Sequence, residues 1–156
     1  MTRTLVSVLV ITLTYLLPYL MSSPDKPGGS HMYIGYVRGM NGSQQAYYLD
    51  HGKFASSLED LNLSIDPEAK NYIFFTVNFR QAVFNYGIPA GAYNYEPQPK
   101  TWRRAYIGGV FLTKVPGTNE LTTEAIICRA EVSGIRAIEP PINARTCGSK
   151  TSKILP

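Results

Sequence analysis

Residues that carry chemistry are scarce in this chain. Its 156 residues include two histidines, His31 and His51, and two cysteines, Cys128 and Cys147. There is no HExxH, no CxxC and no histidine pair at ligand spacing, so no metal site is expected. There is also no GxSxG elbow. The glycine-rich "GYVRGMNG" follows no strand and lacks the Lys-Ser/Thr ending of a phosphate loop. Carboxylates are scattered. Asp50, Glu59 and Asp60 come nearest to a group, and cap and helix-surface roles account for them. A glycosidase pair can be distant in sequence, which leaves an extracytoplasmic enzyme as a third reading. The chain reads as a non-enzyme with no cofactor.

Charge is also sparse. Charged residues are 17% of the chain, against about a quarter in an average soluble domain. The net charge of +4 permits contact with an anionic surface but makes no case for a nucleic-acid partner. Tryptophan occurs once, whereas tyrosine occurs 11 times. A chain poor in charge and rich in Tyr, Val and Ile favours β-structure. Its length suits one domain with one core, and its apolar content excludes general disorder.

One long apolar run is present. "LVSVLVITLTYLLPYLM" spans residues 5–21 without a charge, after Arg3. It reaches the lower end of bilayer-spanning length and exceeds the usual apolar part of a cleaved signal. A small-x-small cleavage site is hard to find, and Pro24 would follow a cut at Ser23. Residues 1–22 therefore read as a single membrane anchor or a signal segment. Arg3 sets the N-terminus inside and the rest outside. That places the protein in the cell envelope, anchored in the inner or plasma membrane with its globular part extracytoplasmic, or secreted if the segment is removed. Residues 23–32, "SPDKPGGSHM", form a Pro/Gly/Ser linker. Residues 33–156 form the globular domain.

Spacing predicts a helix over 33–51. Tyr33, Val37, Met40, Gln44, Tyr47 and Tyr48 fall on one face at 100° per residue. Gly35, Gly39, Gly42 and Ala46 fall nearly opposite. Each glycine costs such a helix roughly 1 kcal/mol against alanine. Either the helix is weak and held by packing, or the small residues form a helix-packing face that another helix or the sheet approaches closely. Gly52 stands where a helix ends in the left-handed conformation. "SSLE", from Ser56 to Glu59, reads as a capping box that opens a short turn with Leu58 and Leu61 inward.

Four strands follow. In "YIFFTVNF" Ile73, Phe75, Val77 and Phe79 share a face; in "QAVFNYGI" Ala82, Phe84, Tyr86 and Ile88 do. "AYIGGVFLTKV" carries Gly108 and Gly109, a sign of a bulge or close packing. "PGTNE" turns the chain into "TTEAIICRAEV", with Ile126, Cys128, Ala130 and Val132 inward. A helix followed by consecutive strands predicts an α+β fold in which the N-terminal helix packs on a four-stranded antiparallel meander.

A long loop joins the second and third strands. It ends in "PKTWRR", where Lys100, Arg103 and Arg104 flank Trp102. Such a cluster could stack on and neutralise a polysaccharide or DNA, which gives the alternative reading of a secreted or surface binding module. It could equally be a loop whose tryptophan covers the sheet edge while the arginines stay solvated.

"QQAYYLDHGKFASSLEDL", "AYIGGVF" and "TEAIICRAE", in that order and with a second cysteine in "RTCGSK", resemble the type IV pilin-like proteins of the G and H group. The resemblance covers residues 33–147. It implies a pilin-like fold, a Cys128–Cys147 disulfide, and a structural or accessory role in or beside type IV pilus or secretion machinery. Pilin or secretion-system subunits would be its partners. The chain departs from the pilin pattern at its N-terminus. No carboxylate lies within residues 5–21, no Gly-Phe processing motif precedes them, and "SSPDKPGG" interrupts the helix. Pilin-type processing and standard polymerisation are therefore not expected.

Overall fold

Three glycines do not prevent a helix whose stability comes from packing. In the computed structural model, which describes residues 30–65, 72–90, 103–133 and 137–154, α1 (Ser30–His51) is 22 residues long. It begins before the expected residue 33, within the stretch read as linker. The apolar run and the rest of the linker lie outside the described residues. Among those described, no helix is long and apolar enough to cross a membrane. Tyr33, Val37, Met40 and Gln44 are buried on the face that the spacing selected, with Tyr47 and Tyr48 partly buried beside them.

The helix ends as its last residues require. Gly52 adopts φ +67°, and its N–H donates to Tyr48 O at 2.8 Å. The His51 ring stacks on Tyr47, with centroids 4.0 Å apart, and its Nδ1 lies 3.1 Å from Tyr47 O. The following turn is capped one residue later than expected. Ser57 Oγ, not Ser56, accepts from Asp60 N at 3.2 Å. The reason is the position of the first turn bond, Leu61 N to Leu58 O, which makes Ser57 the flanking residue. Leu58 and Leu61 are both buried.

The sheet has five antiparallel strands in sequential order: β1 (Tyr72–Asn78), β2 (Ala82–Pro89), β3 (Tyr106–Lys114), β4 (Leu121–Ala130) and β5 (Thr151–Lys153). The meander is as expected, and the fifth strand is additional. β5 is three polar residues with no period-two pattern. It pairs with Cys128, Arg129 and Ala130 because the chain returns to β4 through a disulfide.

Register assigns the two faces. Tyr72, Phe74, Val83, Tyr106 and Val110 lie on the α1 side, where they pack with Val37, Met40, Tyr48 and the 54–65 turn. Phe84, Ile88, Ile107, Ile126, Cys128 and Ala130 form a second core on the opposite face, under residues of the 137–150 segment. Ile126, Cys128 and Ala130 are thus inward as expected, but away from the helix. Val132 corrects the expectation: it lies past the end of β4 and is 60% exposed. Ile73, Phe75, Val77 and Phe79 do share a face, and it is the uncovered part of the outer one, at 36–54% exposure.

Candidate functional site

Two buried asparagines that the apolar pattern does not mark set the helix on the sheet. Asn41 Nδ2 donates to Ile126 O at 3.0 Å, and Asn85 Nδ2 donates to Asn41 Oδ1 at 2.9 Å. Gly108 makes room for them, since a Cβ there would lie 2.1 Å from Asn41 Oδ1. The close packing suspected at Gly108 is therefore contact with a helix side chain. Gly109 plays the same part on the outer face, against Phe111 and Pro141.

Gln44 performs a related task with no exposure at all. Its Oε1 accepts from Ala55 N at 2.9 Å, and its Nε2 donates to Ala55 O at 3.1 Å and to Thr76 Oγ1 at 3.3 Å. One amide thereby holds the 53–55 turn against both α1 and β1. Asn78 Nδ2 adds a bond to Phe54 O at 2.9 Å. Gln45 ties the helix to β4 through Thr123 O and Oγ1.

The small-residue face is placed differently from the reading in which the sheet approaches it. Gly35, Gly39, Gly42 and Ala46 are exposed, and a Cβ on any of the three glycines would meet nothing within 4 Å. The sheet packs on the opposite face, because that is where the larger apolar side chains are. Glycine does permit close approach in this domain, but from the sheet side, at Gly87 and Gly108.

Aromatic rings gather under the start of α1. Tyr33 stacks on Tyr72 with centroids 3.8 Å apart, and Tyr36 meets Phe74 edge-on at 5.3 Å. Tyr72 OH donates to Arg104 O at 2.8 Å. Burial, with the neighbouring Tyr106 and Tyr33 hydroxyls, pushes the Tyr72 phenol far above its ordinary value; the Arg103 charge opposes this weakly. The hydroxyl stays neutral and acts as a donor. Burial also raises the Tyr86 phenol.

The basic and aromatic cluster is divided. Arg104 Nη1 donates to Ala130 O at 3.2 Å and also to Glu131 O, so this guanidinium clamps the end of β4. Arg103 lies beside Tyr72 and is half-buried. Lys100 and Trp102 lie outside the described residues. Among the described residues, no group of three His, Cys, Asp or Glu side chains is placed to hold a metal.

Cys128 and Cys147 are joined, with Cα atoms 5.9 Å apart and a sequence separation of 19. Cys128 is fully buried in the outer core, and Cys147 is partly buried at its margin.

A family model, type IV pilin-like G and H, matches residues 34–152. No curated protein and no solved structure is significantly similar to the chain. The match runs from the first buried turn of α1 into β5. It therefore takes in most of the helix, β1–β4, the start of β5 and both cysteines, well over half of the chain, and the chain belongs to the type IV pilin-like G and H family.

Proposed function

We propose that this protein is a non-catalytic structural or accessory subunit of type IV pilus or related secretion machinery, held at the membrane by residues 1–22 with its pilin-like domain outside the cytoplasm. The family match over residues 34–152 carries the reading. The division of α1 supports it. One face is locked to the sheet through Val37, Met40, Asn41 and Gln44, and the other presents Gly35, Gly39, Gly42 and Ala46 to solvent. Three exposed glycines cost the helix about 1 kcal/mol each without serving the domain's own packing. They leave a shallow surface on which a neighbouring subunit could lie.

Standard polymerisation is not part of this proposal. A filament core needs a long uninterrupted apolar rod, and the sequence of residues 22–29, with two prolines and two glycines, does not suit one. Cell fractionation combined with recovery of sheared surface filaments tests the reading. Full-length protein is expected in the detergent-soluble membrane fraction with its N-terminus uncut. A shortened chain with a methylated N-terminus, recovered from purified filaments, would show instead that it is a processed, polymerising pilin. Recovery only from the medium, away from filament components, would point to a secreted binding module.

A further inference from the structure

The outer face of the sheet is covered by a segment with few attachments. Residues 137–150 contribute Ile138, Pro141 and Cys147 to the cover. Pro141 sits over Gly109, where its Cγ would be 3.2 Å from an added Cβ. Beneath lie Ile107, Ile126 and Cys128, essentially without exposure. The ties that hold the segment down are small. Glu131 N donates to Lys150 O at 3.0 Å, three residues of β5 pair with β4, and at the end of the segment Ile154 N donates to Ile127 O at 2.9 Å with its side chain against the α1-side core. Arg145 and Glu124 approach to 3.9 Å, but both are well exposed, and such pairs stabilise little. Asn143 bonds Arg145 N and Thr146 N, so it shapes the segment without anchoring it. The one covalent tie is Cys128–Cys147.

We propose that residues 137–154 form a redox-released strap: reduction of Cys128–Cys147 by a dithiol frees this segment from the outer face while α1 and β1–β4 stay folded. The exposure of the two sulfurs' residues gives the route. Cys128 has no exposure, whereas Cys147 is only partly buried. A thiolate of the reductant attacks Cys147 Sγ, the protein S–S bond breaks, and its electron pair leaves on Cys128 Sγ, which takes a proton. The second thiol of the reductant then closes that reagent's own disulfide and releases Cys147 as a thiolate, which is protonated in turn. The protein gains two thiols, and the dithiol becomes a cyclic disulfide.

Release enlarges an apolar surface that already exists. Ile73, Phe75, Val77 and Phe79 stand bare on the same face at β1, next to Phe84 and Ile88 of β2. With the strap away, the exposed row would extend across β2, β3 and β4. In the oxidised domain the large exposed apolar residues described on this face lie at the β1 margin.

Hydrogen exchange read by mass spectrometry on the full chain, with and without excess dithiothreitol, tests this; alkylation confirms complete reduction. Amide protection in residues 137–154 should fall on the order of a hundredfold, the factor expected for opening a loop of this length. Protection in β1–β4 should change less than tenfold, and binding of an apolar dye should rise several-fold. Cys147→Ala should reproduce the strap result without reductant. Unchanged strap protection after full reduction would overturn the proposal, because the small ties would then suffice. Parallel loss of protection throughout the sheet would also overturn it, because the crosslink would then hold the whole domain. If Cys147→Ala does not fold while the reduced native chain keeps its sheet, the reduced chain decides.

Discussion

At the scale of single residues, the glycines fall into two groups that sequence cannot separate. Gly39 lies on the solvent side of α1 with open space where a side chain would be, whereas Gly108 lies where a Cβ would strike Asn41. Gly39→Ala should raise stability by about 1 kcal/mol through helix propensity. Gly108→Ala should lower it by about 1–3 kcal/mol through overpacking and displacement of a buried amide. Thermal unfolding of both variants checks the contrast; equal effects would mean that the helix is not seated through Asn41. Tyr72 gives a prediction in pH. Its phenol is raised in the folded state. Its stability contribution is therefore fully present below about pH 10, the ordinary phenol value, and is lost as pH rises further. Urea unfolding at pH 8 and pH 11 should show a steeper alkaline loss for the native chain than for Tyr72→Phe. That variant should lose about 1 kcal/mol at pH 8 with its bond to Arg104 O. Some alkaline slope should persist, because Tyr86 is raised as well.

At the scale of elements, the stretch from residue 44 to residue 65 joins the helix to the sheet. Gly52 ends α1 and Leu58 and Leu61 anchor the turn, but Gln44 makes the connection rigid by pairing with both main-chain groups of Ala55. Gln44→Ala should cost about 2–3 kcal/mol, since it leaves the buried Ala55 N–H without its partner. Increased proteolysis within residues 53–65 should accompany the loss, with the cleavage site read by mass spectrometry. A variant of native stability would show that the turn is held by its leucines alone. β1 and β2 were legible because each alternates apolar residues over seven positions, and β3 and β4 because each is a run rich in β-branched and aromatic residues set off by a turn. β5 was not, because three polar residues carry no period; its place follows from pairing with β4. The cap at Ser57 rather than Ser56 has a similar origin. Both serines suit a cap, and the choice depends on which residue makes the first turn bond.

At the scale of the whole molecule, the disulfide and the apolar run of residues 5–21 give the predictions. Closing a loop of 19 residues should stabilise the domain on the order of 3 kcal/mol. Guanidinium unfolding with and without reductant measures that difference. Alkylation of both cysteines before reduction would show that the natively exported chain carries free thiols, contrary to the fold described. A loss of this size leaves most of a typical domain's stability in place, which is consistent with release of the strap alone. Full-length protein should partition into detergent with its apolar run, while a chain beginning at residue 30 should remain in the aqueous phase.

The sequence by itself determined the helix and its buried face through spacing of 3.6, the four main strands through apolar runs between turns, and the antiparallel meander through the lack of crossover helices. The family resemblance added the cysteine pairing and the pilin-like role. Tertiary structure alone decided which sheet face meets the helix. Alternation places Ile73, Phe75, Val77 and Phe79 together but does not say that Tyr72 and Phe74 are the ones covered. It also decided that Asn41, Asn85 and Gln44 belong inside, because a polar side chain is buried wherever a partner across the fold bonds it. Finally, it turned the small residues of α1 outward and gave the second core to residues 137–150. Both outcomes depend on contacts between segments far apart in the chain, which no local pattern encodes.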